Sequence, residues 1–173
     1  EKTNDWVSLQ RIQFVGACNP PTDPGRVTMS NRWLRHAPLV FVDFPSPMSL
    51  GQIYGTFSRA LLKLQPNLRS YSAPLTEAMV ETYVENRAYF KPSAQPHYIY
   101  SPRELSRWVR ALYEAIKENA DMVLEDLVRI WLHEGLRLFA DRLTTAEEQE
   151  WCSKKLDQIA MSHFPGADPE CIA

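Results

Sequence analysis

Four residues of this 173-residue sequence have side chains that could bind a phosphate or orient a water against one. Asn19 follows a short apolar run and precedes a loop rich in Pro and Gly, where its amide could orient a water against a phosphate. Arg32 and Arg35 lie one helical turn apart, so their guanidinium groups can reach the same side of a short helix. An arginine at the edge of a module can stabilise the charge on a transferring phosphoryl group. The fourth residue is Arg103.

Arg103 lies in the first turn of a predicted helix. Ser101, Pro102 and Glu104 are typical of the N-cap, N1 and N3 positions of a capping box. The helix dipole disfavours a cation at this end of a helix. An arginine there is therefore best explained by an anion held nearby.

Asn19, Arg32 and Arg35 also have a structural interpretation. The type of residue alone favours an Asn19 that hydrogen-bonds its own loop. Arg32 and Arg35 could be surface arginines bridged to carboxylates, and their spacing does not decide the matter. Three further arginines also fit structural roles. Arg26 would anchor its loop, and Arg107 and Arg110 would form a solvated basic face of a helix.

Several other chemistries lack their motifs. The sequence contains no GxxxxGK[S/T] phosphate loop and no nucleophile elbow. His133 and Glu134 begin like a zinc motif, but Arg137 stands at the second histidine position, so we expect no metal site. The three cysteines have no metal-ligand spacing and suggest reduced thiols in a cytosolic protein.

The bulk composition is that of a globular chain, with 45% hydrophobic residues. The formal net charge of −2 gives no overall attraction to nucleic acid or to an anionic membrane. No apolar run approaches the length needed to span a bilayer. We therefore expect neither a nucleic-acid partner nor a membrane partner.

Two short apolar runs precede the helical part of the chain. Residues 11–17 and 39–44 read as buried strands, each ended by prolines, and a short basic helix is predicted between them over 28–36. Thr28 and Ser30 are its candidate N-caps. The fold class predicted is α+β, mostly α: the end of an α/β sheet with two strands, followed by a helical bundle.

After Pro45-Ser46-Pro47 the hydrophobic period changes to 3.6 and stays there. We predict helices that begin at Ser49, near Pro74, at Ser101, at Asp121 and at Thr145. The first of them carries one apolar stripe, formed by Leu50, Ile53, Tyr54, Phe57, Ala60, Leu61 and Leu64. The domain boundary is accordingly placed between residues 1–46 and 47–173.

Four segments resemble the dynein heavy chain family in order and spacing: FVGACNPPTDPGR at 14–26, NRWLRH at 31–36, QIYGTF at 52–57 and YIYSPRE at 98–104. The resemblance is to the third AAA+ module of the cytoplasmic form, from the sensor-1 strand to the helical lid. It implies that residues 1–46 end a large α/β subdomain and that 47–173 form the lid.

The resemblance also implies roles for the four residues. Asn19 would be sensor-1 and place the attacking water. Arg32, in the position of the family's SRF-like pattern, would be the arginine finger offered to the second module, with Arg35 in reserve. Arg103 would be sensor-2 and reach the γ-phosphate of the module's own nucleotide.

The function implied is that of a piece of an ATP-driven motor that moves toward microtubule minus ends. Its cofactors would be ATP or ADP with Mg²⁺ in the intact motor. The Walker A and B segments would lie upstream of Glu1, so the isolated chain should bind no nucleotide tightly and be inactive alone. An alternative is a helical protein-interaction module with no nucleotide role, whose arginines bind an acidic partner.

The implied partners are neighbouring AAA+ modules of the same heavy chain, and microtubules and other dynein subunits through the parent protein. The implied location is the cytoplasm, on the microtubule cytoskeleton. Two strands taken from a larger sheet would leave apolar edges exposed. We therefore also expect self-association of the chain, or partner chains, to cover Phe14, Val40 and Phe41.

Overall fold

The computed structural model of the protein describes residues 6–19, 21, 25–119 and 121–168. The chain divides into two compact units, Glu1–Val42 and Asp43–Ala173. The helices are α1 (Asn31–Leu34), α2 (Pro47–Leu61), a 3₁₀ helix (Pro66–Tyr71), α3 (Ser72–Tyr89), α4 (Pro102–Glu118), α5 (Leu124–Phe139) and α6 (Ala146–His163).

The two predicted strands are wrong for the described residues, none of which lies in a strand. Arg11 has a φ of 60°, which a β-strand does not allow. Phe14 and Val15 are 82% and 89% exposed instead of covered on both faces. An apolar run becomes a strand only when other strands pair with it, and two strands alone are marginal in water. The fold described is therefore helical.

The exposed apolar residues of the first unit are those expected to mediate association. Val40 and Phe41 are exposed, as Phe14 is. Self-association through them stays a prediction.

The predicted helix over 28–36 is confirmed in a shorter form. Helix α1 has only four residues, and Ser30 lies at its N-cap position without a side-chain hydrogen bond to the helix. Trp33 N and Leu34 N both donate to Ser30 O, at 2.9 and 3.2 Å. These bonds close a single helical turn.

Local capping chemistry explains where the other helices start. Capping boxes at Ser101 and Thr145 are confirmed. Helix α2 begins earlier than predicted, because Pro47 occupies its N1 position and Ser46 Oγ accepts from Ser49 N at 3.2 Å. Helix α5 begins at Leu124 and not at Asp121. None of the described helices is long and apolar enough to cross a membrane.

Aromatic side chains fill the core of the second unit. The indole rings of Trp108 in α4 and Trp131 in α5 stack with centroids 5.0 Å apart, and Trp108 Nε1 donates to Trp131 O at 3.1 Å. Phe139 and Phe164 pack edge-on against Trp108 and Trp131 respectively. All four side chains are fully buried, so this cluster fixes how α4 lies against α5.

Gly135 allows this close packing of α4, α5 and α6. A Cβ at position 135 would lie 2.7 Å from Trp108 Cζ2 and 2.7 Å from Leu156 Cδ2. The leucine methyl could move, but the buried indole ring could not move without disturbing its stack on Trp131.

We predict that Gly135→Ala lowers the free energy of unfolding by about 1–3 kcal/mol, because the added methyl overpacks the core. Urea unfolding of the chain measures the change. Gly51→Ala is the matched control, since no atom lies within 4 Å of a Cβ there. That variant should stabilise α2 by about 0.5–1 kcal/mol. Equal stabilisation by both substitutions would contradict the packing described.

Candidate functional site

Arg103 lies in the first turn of α4, which the N-cap of that helix holds in place. Ser101 Oγ accepts from Arg103 N at 3.3 Å, and Glu104 Oε2 accepts from Ser101 N at 2.8 Å. The side chain of Arg103 is exposed. No described residue of the unit Asp43–Ala173 forms a hydrogen bond or an ion pair with its guanidinium group, so that group is available to an anion.

Helix α2 also contacts the first turn of α4. The hydroxyl of Tyr54 donates to Pro102 O at 2.6 Å and lies 2.9 Å from Ser106 Oγ. Tyr54 is almost fully buried, so this contact is a fixed point between α2 and α4. Sequence reasoning placed Tyr54 in the apolar stripe of α2 and missed its polar contact, which nothing in the spacing indicates.

The other three predicted site residues belong to the unit Glu1–Val42. Asn19 is exposed and outside regular secondary structure. Arg32 is exposed on α1, and Arg35 lies at the C-cap of the same helix. Arg35 Nε donates to His36 Nε2 at 3.0 Å. Arg32 and Arg35 thus belong to the same short helical turn, and they differ in their local bonding.

The segment before α4 is hydrogen-bonded to the turn between α5 and α6 and to the first turn of α6. Tyr98 donates its hydroxyl proton to Glu148 Oε2 at 2.7 Å and accepts from Thr144 N at 3.1 Å. His97 Nε2 lies 3.1 Å from Arg142 O. These bonds join residues about 45 positions apart, so sequence spacing could not have found them.

A groove of about 340 Å³ lies between α2 and α4. Its lining is mostly apolar and includes Phe57 and Ala60 of α2 and Val109 and Tyr113 of α4, with Arg110 at its edge. The apolar stripe predicted for α2 is therefore only partly core, because Phe57 is half exposed.

Two of the histidines, His97 and His163, contact residues far along the chain. His163 in α6 lies 2.8 Å from Glu81 Oε2 of α3 and 3.8 Å from Glu77 Oε2. No group of three or more His, Cys, Asp or Glu side chains that could hold a metal ion occurs among residues 6–19, 21, 25–119 and 121–168.

Comparison with known proteins gives consistent matches. Residues 57–149, from within α2 to the first turn of α6, match the family model described as dynein heavy chain, ATPase lid domain. The cytoplasmic dynein heavy chain of Dictyostelium discoideum is 60% identical over 173 residues, which is 99% of this chain. Those of Drosophila melanogaster and Saccharomyces cerevisiae are 56% and 44% identical, each over 95% of this chain. The chain spans only 4% of the length of these relatives.

The bond between Tyr98 and Glu148 predicts a pH dependence of stability. It is the main cause that lowers the pKa of the Glu148 carboxyl from its ordinary value. A carboxyl whose pKa is lower in the folded state contributes stability above its unfolded pKa and loses it as the pH falls through the folded pKa. Tyr98→Phe should therefore destabilise the chain more at about pH 7 than at about pH 3, where the loss of the bond from Thr144 N remains but the contribution of the Glu148 charge does not.

Urea unfolding at the two pH values measures this difference. Tyr113→Phe is the control, because Tyr113 is a partly exposed tyrosine of α4. A Tyr98→Phe effect that is the same at both pH values would contradict the assigned hydrogen bond.

Proposed function

Since the chain belongs to the dynein heavy chain family, we propose that it is part of an AAA+ ATPase module and contributes nucleotide-sensing residues to it. The module would be the third of the heavy chain, as the resemblance of the four segments implies. The parent protein would use ATP to move along microtubules toward their minus ends. Movement of the lid would convey the nucleotide state of this module to the motor cycle.

The observation that supports the proposal most directly is the environment of the Arg103 side chain. Its guanidinium group is exposed and has no partner in the described part of its unit, yet the turn that bears it is fixed by Tyr54, Ser101 and Glu104. A guanidinium group that has no such partner and is carried by a fixed turn is suited to binding an anionic ligand. In the role of sensor-2, Arg103 would stabilise the negative charge on the γ-phosphate of ATP.

Asn19 and Arg32 would serve two different nucleotides. Asn19 would orient the attacking water at the module's own site, as sensor-1. Arg32 would be the arginine finger for the neighbouring second module. The hydrogen bond from Arg35 Nε to His36 favours this choice, because it occupies one donor of Arg35. Arg35 is kept as the second candidate.

ATP and Mg²⁺ would be held mainly by other parts of the heavy chain. No phosphate-cradling loop of the GxxxxGK[S/T] type occurs in the 173 residues. Among the residues present, Arg103 and Asn19 fit contacts to phosphate and to water, and none is proposed as a Mg²⁺ ligand. We therefore expect this chain alone to bind ATP weakly and not to hydrolyse it.

The partners follow from the same assignment. Neighbouring AAA+ modules of the heavy chain would contact this one, and the parent protein would bind microtubules and the other dynein subunits. The relatives described as cytoplasmic dynein heavy chains favour a location in the cytoplasm.

A second candidate function is protein interaction without a nucleotide role. The groove between α2 and α4 favours it, since Phe57 and Tyr113 are partly exposed there beside Arg110. An acidic helix with apolar residues on one face would fit such a groove. Arginine substitutions would then change partner binding and leave nucleotide affinity as it is.

The first prediction for this function concerns Arg103. Arg103→Ala in the full heavy chain should weaken nucleotide binding at one site by about tenfold or more, because a charged hydrogen bond to phosphate is lost. It should also reduce nucleotide-driven release from microtubules. Titration with a fluorescent ADP analogue and a microtubule co-sedimentation assay measure the two effects.

Arg107→Ala is the matched control, as Arg107 is exposed one turn further along α4. It should leave both measurements nearly unchanged. Unaltered affinity and release in the Arg103 variant would eliminate the sensor-2 assignment and leave the interaction module as the better account.

The second prediction concerns the arginine finger. Arg32→Lys should slow ATP hydrolysis at the adjoining module by at least about tenfold, because lysine cannot present the planar fork of a guanidinium group. Arg35→Lys should slow it much less. Single-turnover hydrolysis by the full heavy chain gives the ranking, and the reverse order would assign the finger to Arg35.

A further inference from the structure

Arg142, in the turn between α5 and α6, makes three contacts with the stretch that leads into α4. Its Nη1 donates to Ile99 O at 3.1 Å. Its Cζ lies 5.0 Å from the centroid of the Tyr100 ring. Its Nη2 lies 3.8 Å from Glu104 Oε1. One side chain thus touches the backbone, a ring and a carboxylate within six residues of each other.

The contact with Glu104 bears directly on the start of α4. The Glu104 side chain is only 7% exposed, and that of Arg142 is 29% exposed. The other carboxylate oxygen of Glu104 accepts from Ser101 N at 2.8 Å and from Ser101 Oγ at 3.1 Å. Glu104 is therefore the N3 residue of the capping box and the partner of Arg142 at once. A buried carboxylate needs such a cation, because an unpaired buried charge is strongly unfavourable.

Arg103 lies between the residues that this arrangement fixes. Its backbone N–H donates to Ser101 Oγ, and Glu104 follows it in the chain. Any loosening of Glu104 would therefore release the peptide unit that carries the Arg103 side chain.

We propose that Arg142 is a positioning residue for Arg103: it fixes the segment from Ile99 to Glu104 so that the Arg103 guanidinium group is held ready for the phosphate of the nucleotide. The proposal rests on the proposed role of Arg103 as a phosphate contact. Arg142 itself touches no nucleotide. Its guanidinium fork serves the carbonyl, the ring and the carboxylate together, which a lysine could not do.

A double-substitution cycle in the full heavy chain tests this inference. The variants are Arg103→Ala, Arg142→Met and the two combined, and the probe is a fluorescent ADP analogue with Mg²⁺. Arg142→Met alone should weaken binding about three- to tenfold at the site that Arg103→Ala affects. The double variant should bind no more weakly than Arg103→Ala alone, since a residue that acts through Arg103 has no effect in its absence.

Two further variants serve as controls for this cycle. Arg137→Met removes an exposed arginine from the last turn of α5 and should leave nucleotide affinity unchanged. Arg142→Lys keeps the charge near Glu104, should weaken binding to an intermediate degree, and replaces Arg142→Met in the cycle if thermal unfolding shows that variant to be misfolded.

Three outcomes would overturn the inference, and they are distinguishable from each other. If Arg103→Ala weakens binding but the Arg142 variants do not, Arg142 has no positioning role and the proposed function stands. If the two effects multiply in the double variant, Arg142 acts independently of Arg103. If Arg103→Ala itself does not change nucleotide affinity, the proposed function and this inference are both refuted.

Discussion

The stacked pair of Trp108 and Trp131 is the interaction on which the rest of the helical unit depends. Both rings are fully buried, and the bond from Trp108 Nε1 to Trp131 O ties the side chain of α4 to the backbone of α5. The bond satisfies the buried N–H of Trp108, and because it joins one side chain to one carbonyl it constrains the position of α4 along its axis as well as its distance from α5. Gly135 makes the approach possible by leaving space beside the Trp108 ring.

Polar contacts then determine the geometry of the end of α4. The apolar core includes Leu105 of the first turn, but Pro102 and Arg103 lie outside it. Tyr54 reaches Pro102 O from α2, while Tyr98 and Arg142 connect the segment before α4 to the turn between α5 and α6. Because these contacts surround the backbone of Arg103, its exposed side chain extends from a fixed base.

The sequence predicted the features that depend on neighbouring residues. The capping boxes at Ser101 and Thr145 need only a Ser or Thr followed three residues later by Glu, and both are present. The resemblance of four short segments identified the family. The place of Arg103 in the first turn of α4 could also be predicted from the capping signal.

Features that depend on distant residues could not be predicted. The runs at 11–17 and 39–44 have the composition of strands, but composition does not supply the strands that must pair with them. Arg142 contacts Ile99 and Glu104 about 40 residues away, and nothing in the spacing of these residues indicates it. Helix α2 was given one apolar face, although Phe57 lies on an open groove.

The most direct test of the central claim is hydrogen exchange of the full heavy chain with and without nucleotide. If a bound phosphate engages Arg103, amides of residues 99–106 should exchange more slowly in the presence of ATP or ADP, because the start of α4 is then held on both sides. The amides of α3, Ser72–Tyr89, should exchange at the same rate in both states. Exchange at 99–106 that does not respond to nucleotide would contradict the account.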